Sequence, residues 1–170
     1  MRRRWASLIA ASLLGLSGCA TTQRLSAAAD VHALMIAIRD DDKPAFDAHV
    51  DRPALEAQVQ AMIVARAAAP GSPAWLRDAG LLLSGPLARG AGRLLIQPEV
   101  FRAVADHYGY RPSTPIPGVF AIASQLRPLR DGAVCAVTRR DGPCLVTFAD
   151  EDGTWRLVAF DGDAAMLKLR

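Results

Sequence analysis

The feature that most restricts the fold is the break at residues 111–118, where Pro112, Pro115 and Pro117 fall within one short loop. Each proline fixes φ and removes a backbone donor, so no helix or central strand can run through the segment. Before it, apolar residues recur with a helical period. Val31, Leu34, Met35 and Ile38 form one stripe of a helix over 28–41, ended by Asp40, Asp41 and Asp42. Asp42 with Pro44, and Asp51 with Pro53, are two cap-and-proline helix starts; the second opens a helix over 52–68 with Leu55, Val59, Met62 and Ile63 inward. The run 67–73 breaks the chain. A helix over 74–83 follows, then a glycine-interrupted helical piece over 87–96 containing Gly90 and Gly92. Gln97-Pro98-Glu99 starts a further helix whose apolar face is Val100, Phe101, Val104 and Tyr108, with Gly109 as its stop.

After the proline loop the texture changes. Residues 119–126, 133–138, 144–148 and 154–160 are short β-branched, aromatic or alternating runs, separated by Asp-Gly turns at 130–132, 140–142 and 150–153. Helices followed by a meander predict an α+β domain, with N-terminal helices packed on a C-terminal antiparallel sheet of about four strands.

The N-terminus has a different character. Arg2, Arg3 and Arg4 precede an apolar run from Trp5 to Gly15, and Leu16-Ser17-Gly18-Cys19 closes it with small residues before a cysteine. The run is about eleven residues, short of the ~20 that a spanning helix needs. This arrangement resembles the signal peptide and lipobox of bacterial lipoproteins. The resemblance implies that residues 1–18 are removed and that Cys19 is acylated as the first mature residue. It also implies an anchor in the outer membrane, facing the periplasm, because Ala20 stands where an aspartate would retain such a protein at the inner membrane. An inner membrane or a Gram-positive cell membrane is the other location. Residues 19–27 read as a short polar tether, leaving 28–170 as a single domain.

Maturation also decides the charge argument. The chain has 20 Lys+Arg against 17 Asp+Glu, and the three N-terminal arginines account for the whole excess. The mature chain is neutral, which argues against a nucleic-acid partner needing a basic face; Arg139-Arg140 reads as a solvated turn. With Cys19 acylated, Cys135 and Cys144 are an even pair in a compartment that permits disulfides. Their register is open. An Asp141-Gly142 two-residue turn would set Cys144 opposite Arg139 and leave Cys135 roughly 13 Å away. A loop over 138–141 would bring the cysteines face to face, within the ~7 Å that a bridge tolerates. Asp-Gly turn chemistry favours the first register and compartment chemistry the second.

No catalytic or metal constellation stands out. His32, His49 and His107 lack ligand spacing, and no cofactor is implied. His49 reads as a half-exposed helix-end residue rather than a local partner of Asp51, and His107 reads as a helix C-terminus. Asp40, Asp41 and Asp42 read as helix termination and capping rather than a cation loop. Ser84 and Ser124 lack a nucleophile elbow, and Gly90-Ala91-Gly92 lacks the lysine of a phosphate loop. Trp75, Phe101, Tyr108, Phe120, Phe148, Trp155 and Phe160 are spaced as core residues.

Residues 31–60 carry a further resemblance. Val50-Asp51 followed by Pro53 and Leu55, then Leu95-Ile96-Gln97-Pro98-Glu99, and finally Trp155-Arg156-Leu157-Val158, are similar to segments of domain-of-unknown-function family 2939. Arg52 and Glu56 stand where that family commonly has an aromatic residue and an arginine. The resemblance implies an envelope location and the helix-then-sheet order, and it supplies no activity. The expected function is a non-enzymatic, lipid-anchored envelope protein acting through binding or envelope maintenance. Its partners are the membrane through Cys19 and either an envelope protein or a small apolar ligand; the oligomeric state is not specified. Two other readings remain: a protein with an apolar-ligand or lipid pocket between helices and sheet, and an enzyme of the cone-shaped α+β isomerase type with Asp51, Glu99 or Asp106 as base.

Overall fold

Apolar stripes and side-chain caps build a helical layer on one face of a four-stranded sheet. In the computed structural model the described residues are 2–75, 78, 94–107, 111–139 and 141–161, with residues 2–19 and 107 as backbone alone. The elements are α1 (Arg2–Asp40), α2 (Lys43–Ala48), α3 (Arg52–Ala68), α4 (Pro98–His107), α5 (Val119–Gln125), β1 (Leu126–Pro128), β2 (Val134–Ala136), β3 (Val146–Glu151) and β4 (Thr154–Phe160). The strands pair antiparallel in the order β1-β2-β3-β4, as the α+β expectation requires. Of the expected helices over 74–83 and 87–96, Ala74, Trp75, Asp78, Leu94 and Leu95 are described and helical; residues 76, 77 and 79–93, with Ser84, Gly90 and Gly92 among them, and Tyr108 and Gly109 lie outside the described residues.

The spine is α1. Val31 and Leu34 are buried and Met35 and Ile38 pack against the core, following the expected stripe. The helix ends on a left-handed residue, Asp41 (φ 58°), and the Asp42 N–H donates to the Ala37 carbonyl at 2.9 Å. That 6→1 bond is a Schellman closure, a position where glycine is usual because it carries no Cβ penalty. Asp41→Gly should therefore stabilise the domain by about 0.5–1 kcal/mol in chemical denaturation.

Asp42 and Asp51 then act as the expected N-caps. Asp42 Oδ1 accepts from the Ala45 N–H at 3.0 Å, and Asp51 Oδ1 from the Ala54 N–H at 3.1 Å. Between α2 and α3 the chain touches the outer edge of β4. Leu157 donates to the His49 carbonyl at 2.9 Å and accepts from the Asp51 N–H at 3.0 Å, while Val50 buries beside it. Gln58 covers the end of the same edge: its Nε2 donates to the Phe160 carbonyl at 2.6 Å, and its Oε1 accepts from the Phe160 N–H at 3.0 Å. An otherwise open strand edge is thereby closed.

The core lies between this helical layer and the sheet. Phe46 is fully buried and meets Phe101 edge-to-face at 5.3 Å. Val134, Phe148, Trp155 and Leu157 project onto it from the sheet. A bulge at Thr147/Phe148 shifts the β3–β4 register so that Phe160 returns to the same face. Lys43 Nζ lies 3.0 Å from Glu99 Oε1, tying α2 to α4. Glu99 is held below the usual carboxylate range, first by its own backbone N–H and then by Lys43. A depressed acid supports folding above its unfolded-state value and loses that support as pH falls through the lowered one. Carboxyl NMR titration should therefore place Glu99 below an ordinary glutamate, and Lys43→Met should return it only part of the way, because the backbone donor remains.

Four expectations need correction. Residues 119–125 are helix, not strand. Gly118 precedes them, and Val119, Ile122, Ala123 and Leu126 fall at i, i+3, i+4 and i+7 on the core side, so the burial period overrides β-branched propensity. Phe120, on the opposite side of that helix, is 82% exposed, and Trp75 is exposed as well, so neither belongs to the core. Val104, expected on the buried face of α4, is also exposed. Lastly, residues 20–27 are helical: Ala27 and Ala28 are fully buried, and Gln23 Nε2 donates to the Gly132 carbonyl at 2.6 Å. The folded unit therefore engages four residues after Cys19, where a tether to residue 27 was expected.

Candidate functional site

The polar side chains that α1 sends toward the sheet form the one network of catalytic residue types around a histidine among the described residues. Ser26 and Asp30 stand one turn apart, so their side chains line up along one face. Asp30 Oδ2 accepts from the Trp155 N–H at 2.8 Å, and Ser26 Oγ accepts from the Trp155 indole N–H at 3.2 Å. Asp30 Oδ1 lies 3.8 Å from His49 Nδ1, which is buried without a hydrogen-bond partner. Asp30 thus sits between the start of β4 and the end of α2.

Serine, histidine and aspartate invite comparison with a hydrolytic triad, in which the imidazole bridges the hydroxyl and the carboxylate. Here the carboxylate is in the middle, the hydroxyl is engaged by an indole, and no hydrogen bond joins Ser26 to His49. The arrangement fixes β4 on α1. His49 stands at the C-cap of α2, as its reading as a helix-end histidine requires, and the local contact with Asp51 does not form. The structure pairs His49 with Asp30, because Asp51 turns away to cap α3. The missed clue is two polar residues at i, i+4 beside an apolar stripe.

A second polar cluster organises the junction of α2, α3 and residue 96. The Arg52 guanidinium bonds Asp47 Oδ1 through both Nε and Nη2, donates from Nη1 to the Ile96 carbonyl at 2.7 Å, and lies over the Phe46 ring at 5.9 Å. Ile96 is buried and Pro98 fully so. The segments around Val50-Asp51 and Ile96-Pro98 are therefore packed against each other.

Cys135 and Cys144 form a disulfide, with Cα atoms 5.5 Å apart. Neither expected register produces it. Ala136 pairs with Val146 and Cys135 with Thr147, so Cys144 lies outside β3 in a connection that folds back on itself. The turn closed by the Gly142 N–H on the Arg139 carbonyl at 2.8 Å carries Cys144 over the sheet face opposite the helices. Arg127, opposite Cys135 on β1, donates to the Gly142 carbonyl at 3.2 Å and places Nη2 3.7 Å from Cys144 Sγ. The bridge therefore pins the 137–145 connection. Closing so short a loop is worth about 2.5 kcal/mol, so Cys135→Ala with Cys144→Ala should lower the unfolding free energy by that amount, read by denaturation in the absence of reductant.

The remaining candidates are dispersed. Asp51 is a helix cap, Glu99 pairs with Lys43, and Asp106 is exposed on α4. Asp40 pairs with Arg39, Asp41 closes α1 and Asp42 caps α2. His32 is half-buried on α1 and His107 ends α4. Ser124 Oγ donates to the Ala121 carbonyl within α5. Among the described residues, no group of three or more potential metal ligands is assembled. The best-formed concavities there are open notches, one at Arg66–Pro73 and one at Arg139–Pro143, and neither lies between the helices and the sheet. Cys19 falls within α1, and no helix among the described residues is long and apolar enough to cross a membrane.

A family model described as Protein of unknown function (DUF2939) matches residues 16–104, from the first residue of the Leu-Ser-Gly-Cys motif to the middle of α4. The sheet, including the Trp155-to-Val158 segment, lies beyond the match. No curated protein matches the chain, and neither does any solved structure.

Proposed function

The chain belongs to the DUF2939 family, and from that premise we propose that it is a lipid-anchored envelope protein: a neutral α+β module, carried on acylated Cys19, that acts by binding or by envelope maintenance rather than by catalysis. The observation that carries the reading is Leu16-Ser17-Gly18-Cys19 placed directly behind a basic and then apolar stretch. Acyl chains contribute about 0.8 kcal/mol per buried methylene, so several chains on one cysteine form a durable anchor. The Cys135–Cys144 disulfide suits an oxidising compartment. Ala20 in place of aspartate favours the outer membrane where the cell has one.

The non-catalytic part of the reading draws on the state of the candidate groups. Asp51, Glu99 and Asp106 are capped, paired or exposed, and none is a buried acid at the wall of a chamber. Radiolabelled palmitate tests the anchor. Wild type should incorporate label and Cys19→Ala should not; equal labelling of both would remove the basis of the proposal.

A further inference from the structure

The distance between Cys19 and the folded unit determines how the domain stands on its membrane. Gln23 already bonds the β1–β2 turn through the Gly132 carbonyl at 2.6 Å. Three turns of helix beyond that residue are committed to the core, beginning with Ala27 and Ala28. Four residue steps separate Cys19 from Gln23. They span about 6 Å as helix and at most about 14 Å fully extended. The headgroup layer on each side of a bilayer is itself about 5–8 Å deep. Residue 23 cannot move far from the lipid surface, nor can the turn it holds.

The same end of the molecule contains a second hairpin turn. Ser26 and Asp30 grip Trp155, the second residue of β4, so the β3–β4 turn at Asp152-Gly153 lies alongside the first turns of the domain. Because the sheet is an antiparallel meander, β2 and β4 run away from this end. The 137–145 connection with its disulfide and the Gln58–Phe160 contact therefore lie at the other end.

Resting on the acylation proposed for Cys19, we infer that the Gln23 end of the domain, with the β1–β2 turn at Leu129–Gly132 and the β3–β4 turn at Asp152–Gly153, is a membrane-contacting face. Its partner is the headgroup surface of the bilayer that holds the acyl chains. The chemistry of the face fits such a contact without insertion. Arg130, Asp131 and Asp152 provide both signs of charge, and none of the exposed large apolar side chains lies in either turn. Neither a basic patch nor an apolar wedge is needed, because a short covalent link imposes the proximity. The disulfide-pinned connection is consequently the part presented to the aqueous side.

Photo-crosslinking reads the orientation directly. The acylated full-length protein is reconstituted in phosphatidylethanolamine vesicles containing a lipid with a diazirine in its headgroup, irradiated, digested and mapped by mass spectrometry. Peptides covering 129–132 and 150–153 should be labelled at least about fivefold more than the one covering 137–144, since a headgroup probe reaches only the adjoining layer. The pattern should be unchanged at high salt. A ten-residue Gly-Ser insertion between Ala20 and Thr21 should keep the protein on vesicles and even out the labels. Uniform labelling of the acylated wild type, or an insertion that leaves the pattern intact, overturns the orientation alone. Failure of the wild type to carry lipid and to float with vesicles overturns the anchor as well.

Discussion

Phe46→Ala should lower the unfolding free energy by about 3–5 kcal/mol, enough to remove a large share of the stability of a domain of this size. Phe46 is fully buried on a six-residue helix that cannot be stable alone. Its ring holds α2 to α4 through Phe101 at 5.3 Å and lies under the Arg52 guanidinium at 5.9 Å. Truncation therefore opens a cavity and also leaves Arg52 without the ring against which it stacks. Urea denaturation followed by far-UV circular dichroism measures the loss. A change below about 1 kcal/mol would show that the helical layer does not close on this ring.

Trp155→Ala should cost a similar ~3–5 kcal/mol, for a different combination of reasons. The indole is 4% exposed between α1 and the sheet, and it donates to Ser26 at 3.2 Å, across the junction with α1. Trp155→Phe separates the two contributions: it keeps most of the apolar contact and deletes the donor, so it should cost about 1–2 kcal/mol. Because the backbone N–H of residue 155 still reaches Asp30, the start of β4 should remain docked in the phenylalanine variant. Hydrogen exchange at residues 154–157 checks that directly. Fast exchange there in the phenylalanine variant would mean that the indole, not Asp30, seats the strand.

Where local chemistry decides an element, the sequence was enough to place it. Asp42 with Pro44 and Asp51 with Pro53 specify the starts of α2 and α3 because the cap bond spans only three residues. The alternation of Trp155 and Leu157 likewise marks β4, and the acidic run after Ile38 marks the end of α1. Where a partner distant in sequence decides, it was not. The 20–27 segment offers small and polar residues with no stripe, yet Ala27 is fully buried, and Ser26, with Asp30 one turn on, is held by Trp155, more than a hundred positions away. In α5, β-branched residues suggested a strand, while burial of Val119, Ile122 and Ala123 against α1 made a helix. The cysteine pair was legible from the redox compartment implied by the N-terminus. Its geometry was not, because the 137–145 connection makes its own turn and carries Cys144 out of the ladder. The acylation proposed for Cys19 rests on the sequence of residues 16–19 and not on any folded surface.

The account stands or falls on what the mature N-terminus is. Protein extracted from the membrane fraction with mild detergent, digested and analysed by mass spectrometry, answers this without any substitution. The account predicts an N-terminal peptide that starts at Cys19, carries acyl and glyceryl mass, and is accompanied by no peptide from residues 1–18. A membrane-extracted chain that retains Trp5 to Gly18 joined to an unmodified Cys19 would contradict it.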